Sequence, residues 1–469
     1  MRFRFACLVA AALPFYLFSP ARAAERAKPV SVWLTTADRT SLLQEQAEHP
    51  RFEKPQAEQL SAIDVDEKQK FQSMDGFGFA LTGGSAQLLM RMDAPQRADL
   101  LRELFGGNGI GVSYLRVSIG SSDMNDHAFT YDDLPAGETD KDLAKFSLGP
   151  DSTSVIPVLK EILAINPSIR ILGSPWSAPA WMKSNGNLKA GSLKPEYYQT
   201  YADYFVKYLR TMRDQGIAID AITIQNEPLN PHNTPSMVMQ AEEEAAFIRK
   251  ALGPAFRKNG IRTKIIVYDH NCDKPEYPLT ILKDTDAAQY VDGSGFHLYE
   301  GEITALSKVH DAYPDKNLYF TEQMVVDGKD SSVLDIASPV ARLIVGAPRN
   351  WSRNVLLWNL AADPANGPHT DNGGCPVCEG AITLNGDAVA RNVAYYTVAH
   401  ASKFVRPGSV RIASSSSENL PNVAYRTPDG KLVLIVANPT RSAQKFAIRY
   451  RGKAAETSLP AGAVATCVW

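Results

Sequence analysis

Between residues 66 and 395 the chain repeats one pattern eight times: a short apolar, strand-like run followed by an amphipathic stretch with helical spacing. The runs are "DGFGFA", "VSYLRVSIG", "RILGSPW", "DAITIQNE", "KIIVYDH", "GSGFHLYE", "LYFTEQ" and "VLLWNLA". In the intervening "KPEYYQTYADYFVKYLRTMRDQG", Tyr197, Tyr201, Phe205, Leu209 and Met212 share one face and Gly216 supplies the stop. "AEEEAAFIRKALGPAFRKNG" behaves similarly, with a kink expected at Pro254. Strands alternating with helices imply parallel βαβ units, and eight of them imply an α/β fold closed into a (β/α)8 (TIM) barrel. The alternative, an open doubly wound sheet, usually has fewer strands and needs a glycine turn between its first strand and helix. "GGNGIG" at 106–111 follows a helix and precedes a strand, which is the wrong context for that turn.

After "AYYTVAHASKFV" the texture changes. Residues 396–469 hold short alternating runs, "NVAYRT", "KLVLIVANP", "KFAIRYR" and "AVATCVW", and "TPDGK" carries an Asp-Gly hairpin signal. This predicts a C-terminal antiparallel β-sandwich beside the barrel. The segment 24–65 is polar and irregular apart from "VSVWLTT", a strand expected to join the same β-domain because nothing else is left for it to pack against.

The first 23 residues read as a secretory leader: arginines in "MRFRF", the apolar "ACLVAAALPFYLF", and small residues in "ARA" before Ala24. The apolar run is short for a membrane span and contains Pro14, and no later stretch reaches the ~18 apolar residues of a spanning helix. A secreted or periplasmic protein without an integral membrane segment is expected. The formal charge is −2, and loss of Arg2, Arg4 and Arg22 with the leader takes it to −5. Mild acidity argues against nucleic acid or an anionic membrane as partner. Four cysteines remain: Cys272, Cys375, Cys378 and Cys467. Export favours disulfides. Cys375 and Cys378 in "GGCPVCEG" are the expected pair, because a single C-x-x-C lacks a second ligand pair for zinc and this one does not open a helix.

In such a barrel the reactive groups sit at the C-terminal ends of the strands. Strand two ends near Arg116, with Asp123 in the loop beyond; strand three leads to Trp176 and Trp181; strand four ends in Asn226 and Glu227. Strand six gives His297 and Tyr299, strand seven Glu322, and strand eight Trp358 and Asn359. Glycosidic bond cleavage fits this set. One carboxylic acid protonates the poor leaving oxygen while a carboxylate waits opposite the cationic anomeric carbon. Strands four and seven lie across the ring, so Glu227 and Glu322 are expected to approach to about 5 Å, the retaining separation. Amides and Arg116 suit sugar hydroxyls, and the tryptophans suit the apolar faces of sugar rings. No metal-ligand cluster appears, neither H-x-H nor H-E-x-x-H, so no metal or other cofactor is expected.

The ordered pieces "GFGFALTGGSA", "YLRVSIGSSD", "SPWSAPAWMKSNG", "IQNEP", "FHLYEG", "FTEQ" and "LLWNLAADPANGPH" make the chain resemble glycoside hydrolase family 30, which includes lysosomal glucocerebrosidase and microbial endo-β-1,6-glucanases. The resemblance covers nearly all of the chain after the leader. It implies a retaining mechanism with Glu227 as acid/base and Glu322 as nucleophile. It also implies Asn226 on the sugar 2-hydroxyl, and Arg116, Trp176, His297, Tyr299 and Trp358 around the −1 subsite. One position departs. Where the glucocerebrosidase branch carries an aspartate that grips the terminal glucose, "ALTGGSA" has Gly83, which loses a charge-assisted grip and is expected to open space. The "GPHTDNGGCPVCEG" loop is closer to the β-1,6-glucanase branch. The expected activity is therefore endo-β-1,6-glucanase, on a β-glucan oligo- or polysaccharide, by a monomer. The alternatives are an exo-acting β-glucosidase or glucosylceramidase of the same family and a non-catalytic carbohydrate-binding protein.

Overall fold

The computed structural model describes residues 29–55, 60–328 and 332–469; the leader-like segment 1–23 lies outside them. Eight parallel strands close into a barrel in sequence order, the eighth pairing with the first. They are Gly76–Leu81, Tyr114–Ser118, Arg170–Ser174, Ala221–Thr223, Lys264–Cys272, Val291–Gly301, Asn317–Glu322 and Ser352–Leu357. Inside the ring Tyr114, Leu172, Ala221, Ile266, Tyr319 and Leu356 fill one packed layer, each from a different strand. Outward-facing residues such as Phe77, Phe79, Leu115 and Val117 belong to the larger core shared with the helices. The first two strands approach so closely that a Cβ on Gly78 would lie 1.8 Å from the Tyr114 carbonyl oxygen, which makes glycine obligatory there.

The helix Tyr198–Asp214 buries Tyr201, Phe205, Leu209 and Met212 on one face, as the spacing predicts, and Gly216 follows it at φ +83°. Pro254 is accommodated without ending the helical run. Ala241–Phe247 passes through a π-helical stretch, Ile248–Leu252, into Gly253–Lys258, and the wider turn precedes the ring that cannot donate. Strand four is shorter than its apolar run suggests, because the chain leaves the ladder after Thr223 to swing the next residues across the barrel mouth.

Beside the barrel lies a nine-stranded, largely antiparallel sheet. Its long strand Ser61–Ser73 pairs with Gln444–Tyr450 through its first residues and with Val410–Ser414 through the rest, so the sheet turns a corner and encloses its own core of Ile63, Leu434, Phe446, Ile448 and Trp469. The N-terminal strand Ser31–Thr35 completes it against Val464–Val468. The expected boundaries at 65/66 and 395/396 both shift toward the C-terminus. The sheet keeps residues up to Ser73, and the last barrel helix runs Val393–Ser402. That helix carries the buried His400, whose ring nitrogens bond Thr35 and Thr466 of the side sheet at 2.8 and 2.9 Å. Among the described residues no helix is long and apolar enough to cross a membrane.

Candidate active site

The C-terminal strand ends converge on a cavity of about 590 Å³. Strand four delivers the first carboxylate by a backbone distortion. Glu227 sits at φ +45°, a left-handed conformation rare for a side-chain-bearing residue, and its N–H donates to the Asp269 carbonyl at 3.0 Å. The following Pro228 prevents further ladder pairing, and Asn230 returns to bond Glu227 Oε2 at 2.7 Å. Strand seven delivers Glu322 directly from its last position. Oxygens of Glu227 and Glu322, together with a ring nitrogen of His297, lie within 4.8 Å of one another.

Each carboxylate has its own set of donors. Arg116, fully buried, donates to Glu322 Oε2 at 2.5 Å, and the Tyr299 hydroxyl donates to Glu322 Oε1 at 2.9 Å. Glu227 Oε1 lies 3.1 Å from His297 Nδ1. Burial pushes the Glu227 carboxyl up, but the hydrogen bond and charge of His297 outweigh it and hold the group down at about 2. Burial pushes His297 down, while the Glu322 charge and the bonds to Asp269 and Glu227 lift it to about 9. The pair therefore holds one proton between Nδ1 and Oε1. Burial pushes Glu322 up, against the charges of His297 and Arg116; with Arg116 in direct contact, its ionised form is the one the site is built around.

Behind both carboxylates lies Asp269, from strand five, which the sequence analysis did not single out. It is fully buried and accepts five hydrogen bonds. Oδ1 takes Thr321 Oγ1 at 2.6 Å and His297 Nε2 at 3.0 Å; Oδ2 takes Ser174 and Thr223 hydroxyls at 2.7 Å each and Arg116 Nη2 at 2.8 Å. The ionic contact with Arg116 and His297 keeps its carboxyl well below the usual range despite burial. One carboxylate thus joins the arginine that holds Glu322 to the histidine that holds Glu227. Its signal was available: "KIIVYDH" ends an apolar run on an acid, as strands four and seven do.

The remaining expected residues divide. Asp123, Tyr299, Trp358, Cys375 and Cys378 line the cavity with the two glutamates. Asp123 is buried, its carboxyl bonds its own backbone N–H, and burial with the charges of Glu322 and Glu227 pushes it up to about 8. Arg116, Asn226 and His297 lie behind the lining; Asn226 Oδ1 accepts from Arg116 Nη2 at 2.7 Å, leaving its N–H2 side unclaimed. Trp176, expected in the sugar-contacting wall, also lies outside the cavity lining. Its ring packs on Trp358, centroids 5.5 Å apart, and on the Arg116 guanidinium at 4.7 Å, so it backs the site rather than facing it. Trp181 donates to the Asp132 carbonyl, and Asn359 ties Thr82 and Ser85; neither reaches the cavity. Cys375 and Cys378 are disulfide-bonded, and Cys378 packs with Trp176 and Trp358. The expected space at Gly83 is not there. The Asn125 amide, held by the Ser122 N–H at 2.9 Å, fills it, and a Cβ on Gly83 would meet Asn125 Nδ2 at 1.9 Å.

Glu227, His297 and Glu322 offer three ligand atoms close enough for a cation. Arg116 occupies that region as a fixed positive charge at 2.5 Å from Glu322, so the donor set suits a cation poorly.

A model of the glycosyl hydrolase family 30 TIM-barrel domain matches residues 74–405, and one of the family's β-sandwich domain matches 408–467. An endo-1,6-β-D-glucanase of Aspergillus fumigatus is 35% identical over 406 residues, covering 81% of this chain and 81% of that protein. The lysosomal acid glucosylceramidase of Mus musculus is 30% identical over 405 residues, 80% of this chain and 77% of the other. A solved endo-β1,6-glucanase structure shares 34% identity and superposes with a TM-score of 0.86 over 94% of this chain and 99% of its own. On the matched barrel, the matched sandwich and the likeness to these relatives over about four fifths of the chain, the chain belongs to glycosyl hydrolase family 30.

Proposed function

We propose that the protein is a retaining endo-β-1,6-glucanase working by double displacement. The observation that carries the mechanism is the separation of the two carboxylates. Oxygens within 4.8 Å leave no room for a water between acid and base, whereas inverting enzymes hold the groups ~6.5–9.5 Å apart. Glu322, ionised and aimed by Arg116 and Tyr299, attacks the anomeric carbon. Glu227 delivers to the leaving oxygen the proton it shares with His297, and then takes a proton from the water that releases the sugar. Asn226, with Oδ1 held by Arg116, presents its N–H2 to the 2-hydroxyl; Asp123, on the cavity wall, takes hydroxyls of the same ring; Trp358 gives it an apolar wall. The β-1,6 linkage and endo action rest on the relatives at 34–35% identity, which are endo-1,6-β-glucanases, against 28–30% for the glucosylceramidases. Two intact carboxylates in reacting distance disfavour a purely sugar-binding role. The leader-like first 23 residues favour export, and we read the enzyme as a monomer.

The test is product analysis on a panel of β-linked glucans and glucosylceramide. Early release of oligosaccharides from β-1,6-glucan is expected; release of glucose alone from chain ends, or cleavage of glucosylceramide only, refutes the assignment. Glu322→Gln should abolish turnover on every substrate while leaving the fold intact. Glu227→Ala should lose ~10²–10⁴-fold on glucan and recover with aryl glucosides of good leaving ability, which need no proton. Near-normal hydrolysis by the first variant, or no recovery by the second, removes the corresponding role.

A further inference from the structure

The cavity is longer than the catalytic pair requires, and its two ends differ. One end is built by the loops after strands two and eight, with Asp123, Trp358 and the Cys375–Cys378 disulfide. The other is built by strands four to six, with Asn233, His270, Asp273, Lys274 and Glu300. In the closed ring these groups of strands lie on opposite arcs. Glu227, on strand four, borders the second arc, and Asn233 of that arc reaches 3.5 Å from its Oε2.

Within the second arc, His270 is anomalous. It follows Asp269 directly at the bulge where strand five loses register with strand six, so it turns to the cavity while Asp269 turns inward. Its Nδ1 is buried and has no hydrogen-bond partner among the described residues. Buried polar atoms are nearly always paired, and an unpaired nitrogen on a ring that lines a cavity points to a ligand there. Burial, reinforced by neighbouring His297, keeps the imidazole below its ordinary range and therefore neutral, even though Glu227, Asp273 and Asp269 face it. A neutral ring nitrogen beside an amide and an Asp273–Lys274 ion pair at 3.3 Å is a surface for hydroxyls rather than for ions or for an apolar tail.

We propose that this arc is the subsite for the leaving-group sugar of a glucan, and that His270 anchors it by a hydrogen bond to a hydroxyl of that ring. The inference rests on the functional reading above, since the leaving oxygen must lie at Glu227 for the sugar beyond it to reach His270. It gives endo action a physical basis: a second sugar is held on the far side of the scissile bond.

The test compares wild type, His270→Ala and His270→Gln on a β-1,6-linked glucotetraose and on 2,4-dinitrophenyl β-glucoside, whose leaving group has no hydroxyls to bind. His270→Ala should lose about tenfold in kcat/KM on the tetraose, mainly through KM. It should keep wild-type rates on the aryl glucoside, and His270→Gln should recover part of the loss. In the same assays, transfer of the glucosyl group to an added glucose acceptor should fall with the tetraose rate. Equal losses on both substrates place His270 in the catalytic centre and overturn the proposal; no loss on the tetraose also overturns it. The parent reading is judged separately, on wild type: if no β-linked glucan is cleaved, that reading falls and this one with it.

Discussion

Replacing Asp269 with asparagine tests whether one buried charge governs the proton shared by Glu227 and His297. The side chain keeps its shape, but one oxygen becomes an N–H2. Arg116 cannot accept a hydrogen bond, so the amide carbonyl must stay toward Arg116, Ser174 and Thr223, and the N–H2 must face Thr321 and His297 Nε2. His297 Nε2 then has to accept, which leaves its single proton on Nδ1 facing Glu227. The imidazolium, raised from the ordinary 6.5 to about 9 by Glu322, Asp269 and Glu227 against burial, is no longer supported on its Asp269 side. The whole of that rise is worth about 3 kcal/mol, and Asp269 supplies only part of it, because Glu322, the largest raising cause, and Glu227 remain in the variant. The sign follows from linkage. A histidine whose folded pKa lies above its unfolded value contributes fully below 6.5, and the contribution is lost as pH rises through about 9. Urea denaturation should therefore show a gap between wild type and variant that is larger near pH 6 than at pH 10 by about 1–2 kcal/mol, less than the full shift is worth. On a β-1,6-glucan oligosaccharide, whose leaving oxygen needs a proton, the alkaline limb of kcat/KM should move by about 1 pH unit toward acid. An unmoved alkaline limb together with a pH-independent stability gap would show that Asp269 is only a packing residue.

Two further substitutions probe the walls of the site. Gly83→Asp should cost ~1–3 kcal/mol by thermal or urea denaturation, because the new Cβ meets the buried Asn125 amide; adding Asn125→Gly should recover most of it. A Gly83→Asp variant as stable as wild type would mean that the pocket at that point is open after all. Replacing Cys375 and Cys378 with serine removes a staple that closes only a three-residue interval, so stability should drop by no more than about 2 kcal/mol. The KM for glucan should nevertheless rise several-fold, because the loop that carries the disulfide packs on Trp358 and forms part of the cavity wall. An unchanged KM would show that the loop covers no sugar.

The eight strands and the two facing carboxylates were legible because both are local signals. A barrel strand buried on both faces must be continuously apolar, so an acid at its end is conspicuous, as in "LYFTE" and "ITIQNE". What escaped depends on geometry that a run of letters does not carry. Tyr268 and Asp269 both lie at positive φ in a bulge of strand five, and that distortion sends one acid inward and the next residue, His270, to the cavity. The acid that ends the apolar run in "KIIVYDH" could be read, but nothing in "VYDHN" announces the bulge that aims it. Trp176 was expected to face a sugar; its ring is used instead to back Arg116, a role visible only once the guanidinium is seen buried against it. Gly83 shows the limit from the other direction. The sequence displays the missing carboxylate but not Asn125, contributed by the loop after the next strand, which takes its place. These features share a cause. The two glutamates are not independent groups that happen to meet: Arg116, Asp269 and His297 form a buried chain from one to the other, drawn from strands two, five and six. A charge placed on any link is felt at both carboxylates, because burial leaves little solvent to screen it. The ionisation of Glu322, the proposed nucleophile, and the proton at Glu227, the proposed acid, are therefore set together, and a change confined to strand five, remote in sequence from either glutamate, should alter the pH dependence of both proposed steps.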